Sequence, residues 1–97
     1  MTTRILASAR QHGIEDWEIR AVIGFYGARL PVAAIKPGAL LWLYIGPPAD
    51  NEPWIEVIAD HSNEPDIVVF HAMMLRPSTV SSNNIEGVDP TYARQRK

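Results

Sequence analysis

The residues best suited to chemistry in this sequence are His71 and Arg76, which lie close together near the end of a strand-like apolar segment. His71 is predicted to share a face with Ile67 and Val69, and a polar side chain on an apolar face must be paired or must face a site. An imidazole there suits a general acid or base, and a guanidinium suits a phosphate or a transition-state anion. The structural alternatives are a His71 bonded to a neighbouring carbonyl and an Arg76 paired with a carboxylate of the sheet, for instance Glu56.

Glu56 is a third candidate, because it is a carboxylate inside the strand pattern of residues 54–59. It either points inward, paired with Arg76 or Arg20, or lies on the solvent face of the sheet. The pattern slightly favours the solvent face.

Three tryptophans are candidates for stacking on nucleic-acid bases. Trp42 lies inside an apolar run and is predicted to be part of the core. Trp17, in the first turn of a helix, and Trp54, at the start of a strand, are candidates for exposure. An aromatic residue in either position belongs more often to a core or a partner interface than to a base platform.

The sequence argues against several other kinds of site. It has no cysteine, which excludes disulfides, thiol nucleophiles and zinc sites with sulfur ligands. Its three histidines lie far apart without an H-E-x-x-H pair, and there is neither a glycine-rich phosphate loop nor a G-x-S-x-G elbow. We therefore expect no metal and no cofactor.

Charge is distributed unevenly along the 97 residues, whose formal net charge is −2. Residues 37–75 contain six carboxylates and no lysine or arginine, whereas residues 1–36 and 76–97 each carry an excess of positive charge. Affinity for nucleic acids comes largely from lysine and arginine contacts to phosphate, so a polyanion must meet the two ends of the chain.

Nothing in the sequence predicts a membrane segment or a secretion signal. The longest apolar run, residues 39–45, is much shorter than the roughly 20 residues of a membrane helix. The N-terminus lacks the long apolar region of a signal peptide. We therefore expect a cytoplasmic protein with no membrane contact.

The apolar pattern predicts two helices and then a sheet. Thr2 or Thr3 is suited to cap a first helix that runs through Ala9 and ends at Gly13. A second helix begins near Glu15, whose spacing to Glu18 is a weak form of the capping box, and Gly27 can end it. Strand patterns follow at residues 30–35, 39–45, 54–59 and 67–72.

Short polar loops join these strand patterns, which is typical of an antiparallel meander. We predict an α+β fold with two N-terminal helices followed by a three- to four-stranded antiparallel sheet and a polar C-terminal tail. Residues 1–77 are expected to form a single compact domain. Residues 78–97 are the tail, in which residues 91–97 either form a short helix or stay disordered.

Several of these segments together resemble the RelE/BrnT-like toxins of type II toxin–antitoxin systems. The resemblance rests on H-G-I at 12–14, I-G-P at 45–47, W-I-E-V-I at 54–58 and V-V-F-H-A-M-M-L-R-P at 68–77. The H-A-M-x-x-R-P piece is the most distinctive of these motifs. Together they lie within residues 10–77.

The resemblance implies a compact α+β fold, an endoribonuclease acting on mRNA, and a tight complex with a cognate antitoxin, with RNA or the ribosome as a further partner. In such toxins the 2′-hydroxyl of RNA attacks the adjacent phosphate while basic residues stabilise it. By their place in the matched motifs, His12, His71 and Arg76 correspond to histidine and arginine residues of the family. We expect His71 to act as acid or base and Arg76 to stabilise the scissile phosphate together with Arg20. The residues expected to bind substrate are His12, Trp54 and Glu56.

A hypothesis from a different class is a non-catalytic interaction module of the same fold, which binds a partner protein or self-associates. The acidic sheet and the isolated aromatic residues favour it, since an antitoxin with a basic, apolar helix would cover such a surface. A homodimer joined through a strand edge or through the helix stripe is compatible with the same residues.

Overall fold

The computed structural model describes residues 2–34 and 36–97, which form an α+β fold around one five-stranded sheet. The strands are β1 (Thr3–Ile5), β2 (Ala28–Val32), β3 (Leu41–Gly46), β4 (Ile55–Asp60) and β5 (Ile67–Met74). The helices are a 3₁₀ helix (Ala7–Arg10), α1 (Asp16–Gly24) and α2 (Pro77–Ser82). The strands lie in the order β1-β5-β4-β3-β2.

The predicted combination of two N-terminal helices and an antiparallel sheet is wrong. The segment predicted as the first helix forms β1 and the 3₁₀ helix, so a single α-helix precedes the meander. Strands β2 to β5 pair antiparallel in sequence order, but β1 pairs parallel with β5, which makes the sheet mixed.

The reason for the first error is a long-range pairing. The Ile67 N–H donates to the Thr2 carbonyl at 2.9 Å, and the Leu6 N–H donates to the Val69 carbonyl at 2.9 Å. The open edge of β5 therefore satisfies the backbone of the N-terminal segment, and Thr3 and Ile5 have the branched side chains that suit a strand. Such a partner leaves no signal in the local sequence.

The second predicted helix is present as α1, and its capping box is confirmed. The Glu15 backbone N–H donates to the Glu18 carboxylate at 3.0 Å, which satisfies an amide that the helix itself leaves unpaired. The helix buries Ile19 and Val22 against the sheet. It thus covers one face of the sheet, called the α1 face below.

The alternation predicted along residues 54–59 is confirmed in β4. Its residues on the α1 face join the larger core cluster and are Ile55, Val57 and Ala59. The opposite face, called the α2 face, carries a smaller cluster that contains Leu43, Ile45 and Leu75. Trp54 and Ile58 pack against that second cluster, as do Val80, Ile85 and Val88 from the C-terminal part of the chain.

The residues predicted as a polar tail pack back onto the sheet. Residues 91–97 have neither helix nor strand structure, but the Gln95 side-chain amide bonds both backbone groups of Met74. The Arg96 guanidinium pairs with the buried carboxylate of Glu18 on α1. The C-terminal residues therefore close one edge of the fold.

Strand β2 covers Ala28–Val32, so it begins earlier and is shorter than the predicted strand 30–35. Residue 35 lies outside the described residues. Across residues 2–34 and 36–97, none of the helices has the length and the apolar character that crossing a membrane requires.

Candidate functional site

The centre of the candidate site is Glu56, a fully buried carboxylate on the α2 face of β4. It accepts five hydrogen bonds. The Arg76 backbone N–H, the Arg76 Nε and the Thr79 hydroxyl donate to Oε1 at 3.0, 3.1 and 2.7 Å. His71 Nε2 and Arg76 Nη2 donate to Oε2 at 2.9 and 2.8 Å. The interpretation of Glu56 as a solvent-face residue is therefore wrong, and the inward pair with Arg76 is present.

These contacts keep Glu56 ionised. Burial alone raises the pKa of a carboxyl group, but the donors from His71, Arg76 and Thr79 outweigh it and lower the pKa of Glu56 to about 2. The carboxylate is thus an acceptor at any pH at which the protein works, and every group that contacts it must donate a proton.

His71 reaches this carboxylate because β5 contains a bulge. Ile58 of β4 lies opposite His71, while the next residue, Ala59, lies opposite Val69, so Phe70 is left without a partner. The extra residue reverses the alternation, and His71 lies on the α2 face rather than with Ile67 and Val69 as predicted. The prediction failed because a bulge is a property of two paired strands and not of one.

The bond to Glu56 fixes the chemistry of the His71 ring. Because the carboxylate only accepts, Nε2 carries the proton, and Nδ1 is the nitrogen that remains to accept or donate one. Nδ1 has no hydrogen-bond partner within the described residues. The side chain is 23% exposed, so the ring is held in position without being sealed in the core.

His12, which is distant from His71 in the sequence, lies beside it in the fold. The centroids of the two imidazole rings are 6.3 Å apart, with an interplanar angle of 63°. His12 follows the 3₁₀ helix that packs on β5, and its Nδ1 lies 3.5 Å from the Lys97 carbonyl. Both rings are half-buried, so a ligand has access to them.

Arg76 lies at the N-cap of α2, two residues after the end of β5. Its Nε and Nη2 are used by Glu56, which is the ion-pair alternative that the sequence left open. The side chain is nevertheless 46% exposed, and within the described residues Nη1 makes no hydrogen bond. Arg76 therefore neutralises Glu56 and keeps one donor group for a ligand.

Two of the predicted site residues lie elsewhere. Arg20 is on α1, on the opposite face of the sheet, where Nη1 lies 3.5 Å from the Thr3 carbonyl. The Trp54 ring covers Gly27, since a Cβ added there would be 2.3 Å from the ring. Its own backbone bonds Thr91 and Leu75. Neither side chain shares the cluster of His12, Glu56, His71 and Arg76.

Sequence reasoning missed a second polar cluster on the α1 face. The Tyr44 hydroxyl lies 2.6 Å from His61 Nε2, and His61 Nδ1 lies 2.8 Å from the Glu64 carboxylate. Arg29 lies over the Trp42 ring at 4.3 Å. In the sequence, Tyr44 lies in the apolar run 39–45 and His61 in a polar loop. The one local signal is that Trp42 and Tyr44, two residues apart, share a face of β3.

The geometry offers no obvious metal centre. Within residues 2–34 and 36–97, no group of three or more His, Asp and Glu side chains has an arrangement that could hold a metal ion. Glu56 already accepts hydrogen bonds from a guanidinium, an imidazole, a backbone N–H and a hydroxyl, which a metal ion would have to displace.

No protein-family model, curated protein or solved structure matches this chain, so the similarity to RelE/BrnT-like toxins remains a prediction from short motifs. The function must be inferred from the geometry of the chain itself.

Proposed function

We propose that this protein is an endoribonuclease that cleaves RNA by acid–base catalysis at His12 and His71. The observation that carries the proposal is the pair of half-buried imidazoles whose centroids are 6.3 Å apart, with one ring held by a buried carboxylate. Two imidazoles at this separation can contact one phosphodiester from two sides.

The reaction needs two proton transfers and no cofactor. One imidazole takes the proton of the RNA 2′-hydroxyl while the 2′-oxygen attacks the phosphorus. The P–O5′ bond breaks, and the other imidazole gives its proton to the leaving 5′-oxygen. The products are a 2′,3′-cyclic phosphate and a 5′-hydroxyl. His12 and His71 carry the protons, and Glu56 positions His71.

Positive charge for the phosphate comes from the C-terminal segment, residues 76–97, which carries an excess of positive charge. Arg76 contributes an exposed guanidinium with a free Nη1 within the described residues. The Lys97 side chain lies beside Gly13, where an added Cβ would be within 3.6 Å of it. Both residues lie next to the imidazole pair, since Arg76 and His71 share the Glu56 carboxylate and the Lys97 carbonyl lies beside His12.

The test is cleavage of end-labelled single-stranded RNA, alone and bound to ribosomes. We expect products with a 2′,3′-cyclic phosphate, no cleavage where the scissile nucleotide is 2′-deoxy, and a bell-shaped pH dependence of kcat/KM. His12→Gln and His71→Gln should each lower the rate by about 100-fold or more. Gln11→Ala, a change at the exposed neighbour of His12, is the control and should cleave normally. Intact RNA under both conditions, or full activity of both histidine variants, would overturn the proposal.

Exposed apolar residues at α1 favour a second candidate function, binding of a partner protein or a second copy of the chain. Phe25 is 87% exposed and Trp17 is 55% exposed, which is unusual for large apolar side chains. If this surface mediates self-association, light scattering should give the mass of a dimer for the wild type and of a monomer for Phe25→Ser. A monomer in both cases would count against self-association.

A further inference from the structure

A groove on the α1 face has the features of a ligand site that the cleavage reaction does not use. Its cavity volume is about 520 Å³, which lies in the range of small-molecule sites. Apolar side chains line much of it, and its polar and aromatic groups are Arg20, Tyr26, Arg29, Tyr44, His61 and Glu64.

Within the described residues, neither arginine of this groove forms a salt bridge with a carboxylate, although the charge of Arg20 acts on nearby Asp16. Arg29 is held by aromatic rings, with its guanidinium carbon 4.3, 5.5 and 5.8 Å from the ring centroids of Trp42, Tyr26 and Tyr44. These contacts hold the guanidinium group beside the Tyr44 hydroxyl and leave N–H donors for a ligand. Arg20 contributes a second cation to the lining, from α1.

The floor of the groove is an ordered polar chain. The Tyr44 hydroxyl, the buried His61 ring and the Glu64 carboxylate are linked by contacts of 2.6 and 2.8 Å. Burial raises the pKa of Tyr44 more than the nearby Arg29 lowers it, so its hydroxyl is neutral. A fixed neutral hydroxyl below two cations is a hydrogen-bonding group for a polar ligand.

We propose that this groove binds a single nucleotide, with its phosphate on Arg20 and Arg29 and its base against the Tyr26 ring. An anion suits the two guanidinium groups of the lining, and a flat aromatic group suits the partly exposed Tyr26 ring. A nucleotide supplies both within the volume of the groove. The nucleotide is either free or one residue of an RNA strand. The site lies across the sheet from His12 and His71, so it does not depend on the proposed cleavage.

The experiment measures binding of AMP by calorimetry and by tryptophan fluorescence, since Arg29 lies on the Trp42 ring. AMP should bind with one site per chain, and adenosine and inorganic phosphate should each bind at least tenfold more weakly. Arg20→Ala and Arg29→Ala should each weaken AMP binding by about tenfold to a hundredfold. Arg94→Ala removes the same charge from an exposed position outside the groove and is the matched control.

The outcomes separate the sources of the nucleotide. If a 2′-deoxy oligonucleotide displaces AMP and binds far more tightly, with the same dependence on Arg29, the groove holds one residue of a strand. If the oligonucleotide does not compete, the free nucleotide is the ligand. Absence of AMP binding, equal binding of phosphate and AMP, or an equal loss in Arg94→Ala would overturn the proposal. None of these binding measurements depends on cleavage activity.

Discussion

Replacing Glu56 by glutamine should destabilise the protein by about 3 kcal/mol at pH 7. The substitution keeps the shape of the side chain but turns one acceptor oxygen into an NH₂ donor. Each carboxylate oxygen now accepts at least two hydrogen bonds, from donors on His71, Arg76 and Thr79. The new NH₂ group would therefore face donors that it cannot bond, and the charge of Arg76 would lose its partner.

The magnitude follows from the pKa of the buried carboxyl group. Its pKa is lowered from 4.5 to about 2, and one pKa unit is worth about 1.4 kcal/mol, which gives about 3 kcal/mol. A carboxyl group whose pKa is lowered by folding contributes stability that is fully present at pH values above its pKa in the unfolded state. That contribution is lost as the pH falls through the folded pKa, so the window here lies between pH 4.5 and about 2.

The assay is urea unfolding of the wild type and Glu56→Gln from pH 7 to pH 2. The difference between their unfolding free energies should be about 3 kcal/mol at pH 7 and should shrink through the acid window. Glu86→Gln, at an exposed position, is the control and should stay within about 0.5 kcal/mol of the wild type. A difference below about 1 kcal/mol at pH 7, or one that does not change with acid, would refute the reasoning.

Three other substitutions test contacts around the same fold. Thr79→Val removes the hydroxyl that donates to the buried carboxylate at 2.7 Å and should cost about 2 kcal/mol in urea unfolding. Gly27→Ala would place a Cβ 2.3 Å from the Trp54 ring, so it should destabilise by about 1–3 kcal/mol and lower the melting temperature. Arg96→Ala removes the hydrogen bond that chiefly holds the pKa of Glu18 below its usual value. That pKa should rise in an NMR titration, and limited proteolysis should cut residues 91–97 faster; an unchanged titration would contradict the pairing.

Much of the fold follows from local patterns in the sequence. The capping box at the start of α1 was predictable, because both of its residues lie within one helical turn. The alternation of β4 was equally clear, since a strand with an apolar face and a mixed face has a period of two. Elements of this kind can be predicted because their signal lies within the element itself.

Local patterns do not reveal the features whose stability comes from distant partners. β1 exists because β5 has an open edge, and residues 91–97 are held in place by Gln95 and Arg96, whose partners lie on β5 and α1. A polar segment of this kind has the composition of a disordered tail until its partners are known. Arg29 was missed for the same reason, since the aromatic rings that orient it lie on β3 and after α1.

The bulge at Phe70 decides on which face of the sheet His71 lies. Strict alternation from Val69 would place His71 in the apolar cluster under α1, where an imidazole has no partner. The extra residue instead turns His71 toward Glu56 and returns Ala72 and Met74 to that apolar cluster. The Ser8 hydroxyl donates to the Phe70 carbonyl at 2.7 Å, so the 3₁₀ helix that leads to His12 also fastens the bulge that orients His71. One short segment of the chain therefore positions both imidazoles. This is why His12 and His71 lie side by side although they are distant in the sequence.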